Sequence, residues 1–222
     1  LIGRISGIPF DRFLKERIFD PLGMADTGFF VPAGKAHRLA ACYSADAGGM
    51  MPAHSPGATS GLTLQDDPAT SPFLSPPGFI SGGGGLCSTA ADYLTFCRAL
   101  LNGGEFGGVR LIGPKTLALM TSNHLPGNRD LPEMSQSMFS EATYSGIGFG
   151  LGLAVTLNPA KTLIAGSPGE YAWGGVATTS FWIDPAEELI AIFMTQVIPS
   201  TAYPVRRELR TMVYAAITDA GA

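Results

Sequence analysis

Trp173, Gly174 and Gly175 lie inside a run from Tyr171 to Pro185 that is rich in aromatic and β-branched residues. The run reads as a strand, a tight turn and a second strand. Glycine weakens a strand interior and often marks a place where another group approaches the backbone closely. Two in succession leave room for a ligand against the main chain. Trp173 beside them offers a flat apolar wall. The ordinary alternative is an aromatic core residue next to a β-bulge.

Other residue types that carry chemistry are present without the spacing that would use them. Gly82, Gly83, Gly84 and Gly85 form a glycine run, but Leu86-Cys87-Ser88 follows it. A phosphate-binding loop needs Gly-Lys-Ser/Thr at that point, so the run reads as a loop bordering a cleft and leading into a helix. His37, His54 and His124 are far apart and show no metal-ligand spacing. Neither a metal nor another cofactor is therefore expected. No Gly-x-Ser-x-Gly occurs, which excludes a nucleophile elbow. The pairs Asp66-Asp67 and Glu187-Glu188 fall in expected loops and read as solvated charge. Cys42, Cys87 and Cys97 are an odd count without Cys-x-x-Cys spacing. They read as thiols packed like small hydrophobes. Cys87 and Cys97 flank one expected helix whose length, about 15 Å, keeps them apart.

These residues need a scaffold. With 222 residues, 45% hydrophobic and 14% charged, the chain can bury a substantial core. The net charge of −4 offers no broad basic surface to nucleic acid or anionic lipid. No apolar run is long enough to cross a bilayer. The 29 glycines and 17 prolines call for many turns.

Leu1–Ser6 reads as the end of a helix stopped by Gly7. Pro9 opens a second helix, with Phe10, Phe13, Leu14 and Ile18 as its apolar stripe. A turn is expected over Asp20–Met24. Residues 31 to 80 are loop-rich, with a short strand near Leu39–Tyr43. Thr89 starts a helix, with Asp92 completing a variant of the capping box, and Asn102-Gly103-Gly104 ends it. Pro114 starts another, Lys115–Met120. Residues 123 to 143 are polar and irregular.

The last third changes character. Strands are expected at Ile147–Leu157, Leu163–Ala165, Val176–Ile183 and Leu189–Thr195, with Glu187-Glu188 in the last turn. Pro204 opens a final helix. Its stripe is Val205, Leu209, Met212, Val213, Ala216 and Ile217, and its outer face is Arg206, Arg207 and Arg210. Strands followed by a helix that must bury one face give an α+β fold, an antiparallel sheet with helices packed on it.

Three segments carry a resemblance in the same order. They are Phe19-Asp20-Pro21-Leu22-Gly23-Met24-Ala25-Asp26-Thr27-Gly28-Phe29, then Gly84-Gly85-Leu86-Cys87-Ser88-Thr89-Ala90-Ala91-Asp92-Tyr93-Leu94-Thr95-Phe96 with Leu100-Leu101-Asn102-Gly103-Gly104, then Trp173-Gly174-Gly175. Together they resemble the serine β-lactamase and penicillin-binding-protein superfamily, in the Trp-Gly-Gly form of esterases with a β-lactamase fold. The likeness spans nearly the whole chain.

The resemblance implies an antiparallel sheet flanked by helices plus a mostly helical lobe, with the active site between them. It divides the chain into 1–145, mostly helical and loop, and 146–222, sheet plus C-terminal helix. It also implies acyl transfer through a serine acyl-enzyme on ester, amide or β-lactam carbonyls. Trp173 falls where β-lactamases have the Lys of Lys-Thr-Gly, Gly174 on the Thr and Gly175 on the Gly. By position, the N–H of Val176 becomes one oxyanion-hole donor, with Gly175 beside it. Trp173, Gly174, Gly83 and Gly84 become cleft-lining residues. Losing the Lys and the Thr removes the grip on a β-lactam carboxylate and favours neutral esters or amides.

The pattern departs from the family at one point. No Ser-x-x-Lys exists, because Arg12, Pro32, Ile112 and Asn158 stand three before Lys15, Lys35, Lys115 and Lys161. Tyr43-Ser44-Ala45 is only loosely like the family's Tyr motif and lies on the wrong side of Leu22-Gly23-Met24. The expectation is a C-terminal part of one domain, with the nucleophile Ser and the Lys and Tyr bases before Leu1. The chain alone is then expected to be inactive and to expose a sheet edge, and its partner is its own N-terminal piece. The competing reading is a non-catalytic binding domain on the same scaffold. The sequence does not fix a compartment.

Overall fold

The computed structural model describes residues 1–45, 61–134 and 144–219. His54 and parts of the loop-rich and polar segments lie outside these residues. In chain order the elements begin with α1 (Ile2–Ser6) and α2 (Phe10–Leu14). A π-helical turn, Lys15–Phe19, carries α2 into α3 (Asp20–Leu22). Then come β1 (Cys42–Ala45), β2 (Leu62–Asp66), α4 (Ala90–Leu101), β3 (Glu105–Phe106), β4 (Val109–Arg110), α5 (Pro114–Met120) and α6 (Leu131–Met134). The last third holds β5 (Ile147–Phe149), β6 (Ala154–Thr156), α7 (Pro159–Thr162), β7 (Tyr171–Gly174), β8 (Ser180–Asp184), β9 (Leu189–Phe193), β10 (Val197–Ile198) and α8 (Val205–Ala215).

The architecture is α+β. Strands β5 to β9 form an antiparallel meander in sequence order. One face of β7 and β8 carries Tyr171, Phe181 and Ile183, which pack with Val155, Cys97, Leu100 and Leu117 into the main core. Helix α4 therefore covers that face. Helix α8 covers the other. A second core joins Phe19, Leu22 and Met24 to Ala99. A small mixed sheet, β10-β1-β2, pairs β1 antiparallel with β2 and parallel with β10. It ties residues near Tyr43 to Val197. A third sheet is the β3–β4 hairpin, turned by Gly107 and Gly108 at φ 58° and 80°. Two left-handed residues make the primed turn that matches strand twist.

Several expectations meet the structure closely. Gly7 caps α1 in the left-handed region, Pro9 precedes α2, and α5 begins at Pro114. Thr89 Oγ1 accepts the Asp92 N–H at 3.2 Å, as an N-cap should. The Asp92 carboxylate does not complete a capping box. It accepts from the Asp26 N–H at 2.7 Å and the Thr27 hydroxyl at 2.8 Å instead, pinning α4 to the segment after α3.

Other elements differ. Asp20–Leu22 is a last helical turn ending at left-handed Gly23, so the chain leaves the helix only at Gly23 rather than at Asp20. The single strand expected over Ile147–Leu157 is a hairpin, β5 and β6. Its chain reverses where the Gly150 N–H meets Leu153 O at 2.7 Å. A Cβ at Gly150 would sit 2.1 Å from Met120 O, so that glycine marks a close approach of backbone to backbone. Leu163–Ala165 is not a strand. Asn158 caps α7, Pro159 sits in its first turn, and Leu163 leaves it in the left-handed region. Strand β8 begins at Ser180 rather than Val176, because residues 175–179 form the turn.

The largest correction concerns α8. Arg206 and Arg210 face the sheet, whereas Met212 is 69% exposed. Arg206, Arg210 and Tyr214 recur every four residues and form one stripe. That stripe meets polar groups on the sheet. Arg206 lies against Gly174, the Arg210 guanidinium sits over the Trp182 ring at 5.6 Å, and the Tyr214 hydroxyl reaches Asp184. Arg210 also pairs with Glu170, and both Glu170 and Asp184 are fully buried. Buried carboxylates and turn carbonyls under the helix, not apolar content alone, decide which face of α8 turns inward.

Candidate active site

Strand β7 delivers Trp173 and Gly174 to the end of the sheet. Side chains alternate along a strand, so Trp173 shares the face of Tyr171, while Gly174 opens onto the α8 face. Trp173 is 38% exposed and packs edge-on against Phe149 of β5, ring centroids 5.2 Å apart. It is an aromatic wall at the rim of the core.

The turn that follows is a three-residue hairpin loop. Gly175 N–H donates to Thr179 O at 2.9 Å, and Thr178 N–H donates to Gly175 O at 3.1 Å. Of Val176, Ala177 and Thr178, only Thr178 has a positive φ, 71°. This is a type I turn followed by a left-handed residue. Glycine usually takes that last position, and a β-branched residue there costs about 1–3 kcal/mol. Thr178 is held in place from both sides. It is buried, its hydroxyl donates to Val197 O at 2.5 Å, and its carbonyl accepts from Arg206 Nε at 3.4 Å.

Three further carbonyls of the turn are engaged too. Arg206 Nη2 donates to Gly175 O at 2.5 Å and to Thr179 O at 2.8 Å. Val197 N–H donates to Ala177 O at 3.1 Å. Among the described residues, the N–H groups of Val176 and Ala177 have no hydrogen-bond acceptor. Val176 is 67% exposed. The turn thus presents free donors at Val176 and Ala177, while four of its carbonyls, those of Gly175, Ala177, Thr178 and Thr179, are occupied from behind. Such an arrangement binds oxyanions.

The two glycines have separate steric reasons. A Cβ at Gly174 would lie 2.8 Å from Arg206 Nη2 and 2.9 Å from Cζ. One at Gly175 would lie 2.5 Å from Thr179 Oγ1. Burial holds the Arg206 guanidinium below its ordinary pKa, an effect opposed by the nearby Tyr144. It remains a cation at neutral pH.

Trp173, Gly174, Gly175 and Val176 are therefore contiguous on one strand end and turn. Gly83 and Gly84 lie on an exposed loop elsewhere in the chain order. Gly82 at its start faces the Phe10 ring, and Gly85 at its end faces Phe29. Two shallow cavities of about 450 and 300 Å³ lie elsewhere, and neither is lined by any residue from Trp173 to Val176. Among the described residues no group of three His, Cys, Asp or Glu is placed to hold a metal ion. No helix among them is long and apolar enough to cross a membrane. Sequence reasoning missed Arg206, Thr178 and Thr179. The available signal was the four-residue recurrence of Arg206, Arg210 and Tyr214.

Known proteins share this arrangement of elements. An uncharacterised protein of Mycobacterium tuberculosis is 34% identical over 202 residues, 90% of this chain and 46% of that protein. The chain thus spans about half the length of the curated relatives it matches. The unliganded simvastatin synthase LovD of Aspergillus terreus superposes with a TM-score of 0.75 at 22% identity, covering 98% of this chain and 53% of that one. EstCE1, described as a hydrolase with promiscuous acyltransferase activity, gives 0.71 at 23% identity, covering 96% and 52%. At these identities the two structures speak for the fold alone. The family model described as Beta-lactamase matches residues 1–215, and the chain belongs to that family.

Proposed function

We propose that this chain supplies the oxyanion turn and part of the cleft wall of a serine hydrolase. The reaction is acyl transfer on a small-molecule ester, amide or β-lactam carbonyl. The nucleophilic Ser and its Lys and Tyr bases belong to sequence before Leu1. The observation that carries the reading is the Val176 N–H, unpartnered among the described residues, on an exposed residue of a turn whose Gly175, Ala177, Thr178 and Thr179 carbonyls are engaged from behind.

In this reading the serine hydroxyl attacks the substrate carbonyl, and its proton passes to the neighbouring base. The carbonyl oxygen becomes an oxyanion between the Val176 N–H and the N–H of the serine itself. Collapse of that intermediate expels the leaving group with a proton and leaves the acyl-enzyme. Water or an alcohol then takes the acyl group. Each such donor contributes about 10²–10³ in rate. The similar folds of LovD, a synthase, and EstCE1, a hydrolase with promiscuous acyltransferase activity, are compatible with either acceptor. Trp173 stands where a cation would bind a substrate carboxylate, which favours neutral acyl substrates. Gly83 and Gly84 border the cleft on the side of the helical half.

Val176→Pro tests the reading. Proline suits the first central position of a type I turn and removes the N–H, exchanging an exposed side chain for a ring. In the serine-bearing protein, kcat for an activated ester should fall about 10²-fold, with KM little changed. Undiminished turnover would rule out Val176 as the donor. Failure of a fluorophosphonate to label any serine of that protein would point to a binding domain instead.

A further inference from the structure

The turn that presents Val176 is closed by its own hairpin hydrogen bonds, but two of its features call for a distant partner. Thr178 adopts a conformation that a β-branched residue avoids. Gly175, Thr178 and Thr179 direct three carbonyls to the same side, where like dipoles repel. Val197 O holds the Thr178 hydroxyl, and one side chain arriving from α8, far along the sequence, answers the carbonyls. The Arg206 guanidinium meets all three carbonyls at once, at 2.5, 3.4 and 2.8 Å.

A second observation points the same way. Gly174 has ordinary strand geometry and pairs in register with Ser180, so its backbone does not require glycine. Its missing Cβ makes room for the Arg206 guanidinium, 2.8 Å away at Nη2, and for the Thr179 carbonyl that this guanidinium binds, 3.0 Å away. The first glycine of Trp-Gly-Gly is thus a seat for the arginine rather than an opening toward substrate.

We propose that Arg206 is a positioning residue that sets the oxyanion turn by binding the carbonyls of Gly175, Thr178 and Thr179, so that the Val176 N–H is fixed in direction before substrate arrives. This rests on the acyl-transfer reading for its consequence, though not for its geometry. A planar fork with five donors suits three converging carbonyls in a way that an ammonium cannot match. The arginine is a positioning group and touches no substrate. Because its charge is absorbed by backbone oxygens, it is not offered to a substrate carboxylate.

The test uses Arg206→Lys and Arg206→Met with two readouts. Amide hydrogen exchange on the chain itself should show the Gly175 and Thr178 N–H groups exchanging about tenfold faster in Arg206→Met. The Tyr171–Ile183 ladder should stay at its original rate, and Arg206→Lys should fall between the two. In the serine-bearing protein, kcat should drop about 10²-fold in Arg206→Met with KM within about twofold, as expected when a reacting group is displaced by about an ångström. Unchanged exchange at Gly175 and Thr178 overturns the proposal. So does exchange that rises equally across the β7–β8 ladder, which would make Arg206 a general tie between helix and sheet. A shift in KM alone overturns it too, because that would place the arginine on the substrate. A wild-type protein without turnover counts against acyl transfer, and the exchange result then decides the arginine's role by itself.

Discussion

The Tyr214 hydroxyl of α8 stands 2.8 Å from Asp184 Oδ2 of β8, and the same hydroxyl also meets Glu170. Both carboxylates are fully buried, and Arg210 is the cation paired with Glu170. The phenol therefore bridges two acids in the layer between helix and sheet. Tyr214→Phe should lower unfolding free energy by about 1–3 kcal/mol, the cost of an orphaned buried polar group. Arg210→Met should cost more, about 3–5 kcal/mol, because it leaves a buried carboxylate without its counter-charge. Urea unfolding of the two variants and their double mutant checks the order. Equal, near-zero effects would mean the network is solvated.

Glycine-to-alanine changes separate the two glycine segments. Gly174→Ala places a methyl on the Arg206 guanidinium and should destabilise by about 1–3 kcal/mol as the arginine is displaced. It should also speed exchange at Thr178. Gly84 has open space around its Cβ position and no positive φ, so Gly84→Ala should stay within about 0.5 kcal/mol of the parent. Thermal melts of both proteins decide it.

Much of this was legible from local signals. Gly7, Pro9, Thr89 and Pro114 mark helix ends through backbone chemistry that acts within a few residues. The Trp-Gly-Gly segment showed its hairpin for the same reason. What was hidden depends on distant partners. The sequence assigns Arg206 and Arg210 to water because charge is expensive to bury. The fold buries them because Glu170, Asp184 and the turn carbonyls await them. Gly150 looked like a strand glycine until Met120 O was seen to lie against it. Asn158-Pro159 was a readable helix start, passed over in favour of the apolar residues behind it.

Asp130 provides a pH test. Its carboxylate is buried, which alone would raise its pKa. The Gly146 N–H at 2.9 Å, the Glu133 N–H and Lys161 outweigh that and hold it below the usual aspartate value. A lowered folded pKa contributes stability above the unfolded value, and the contribution fades as pH falls through the folded one. Asp130→Asn should therefore be clearly less stable than the parent at pH 7, with the gap narrowing below about pH 4. Urea midpoints across that range are the measurement, and a gap independent of pH would refute the assignment.

Cys97 is fully buried in the main core, and burial pushes its thiol up to about 12. Cys87 is only half-buried. At pH 8 an aromatic disulfide reagent should modify Cys87 first and leave Cys97 intact until urea unfolds the chain, because only the thiolate reacts. Equal native rates at the two sites, read by peptide mass, would contradict the packing of α4.

The parallel pairing of β1 with β10 has a kinetic consequence. Tyr43 and Val197 come from opposite ends of the sequence, and Val197 is also the residue that holds Ala177 and Thr178. The meander β5 to β9 can assemble from neighbours as they are synthesised. The small sheet cannot, because β1 must wait for almost the entire chain before its parallel partner exists. Contacts between distant segments close last and slowly. The turn after β7 is therefore drawn early by its own hairpin and locked late, when the two distant segments meet behind it.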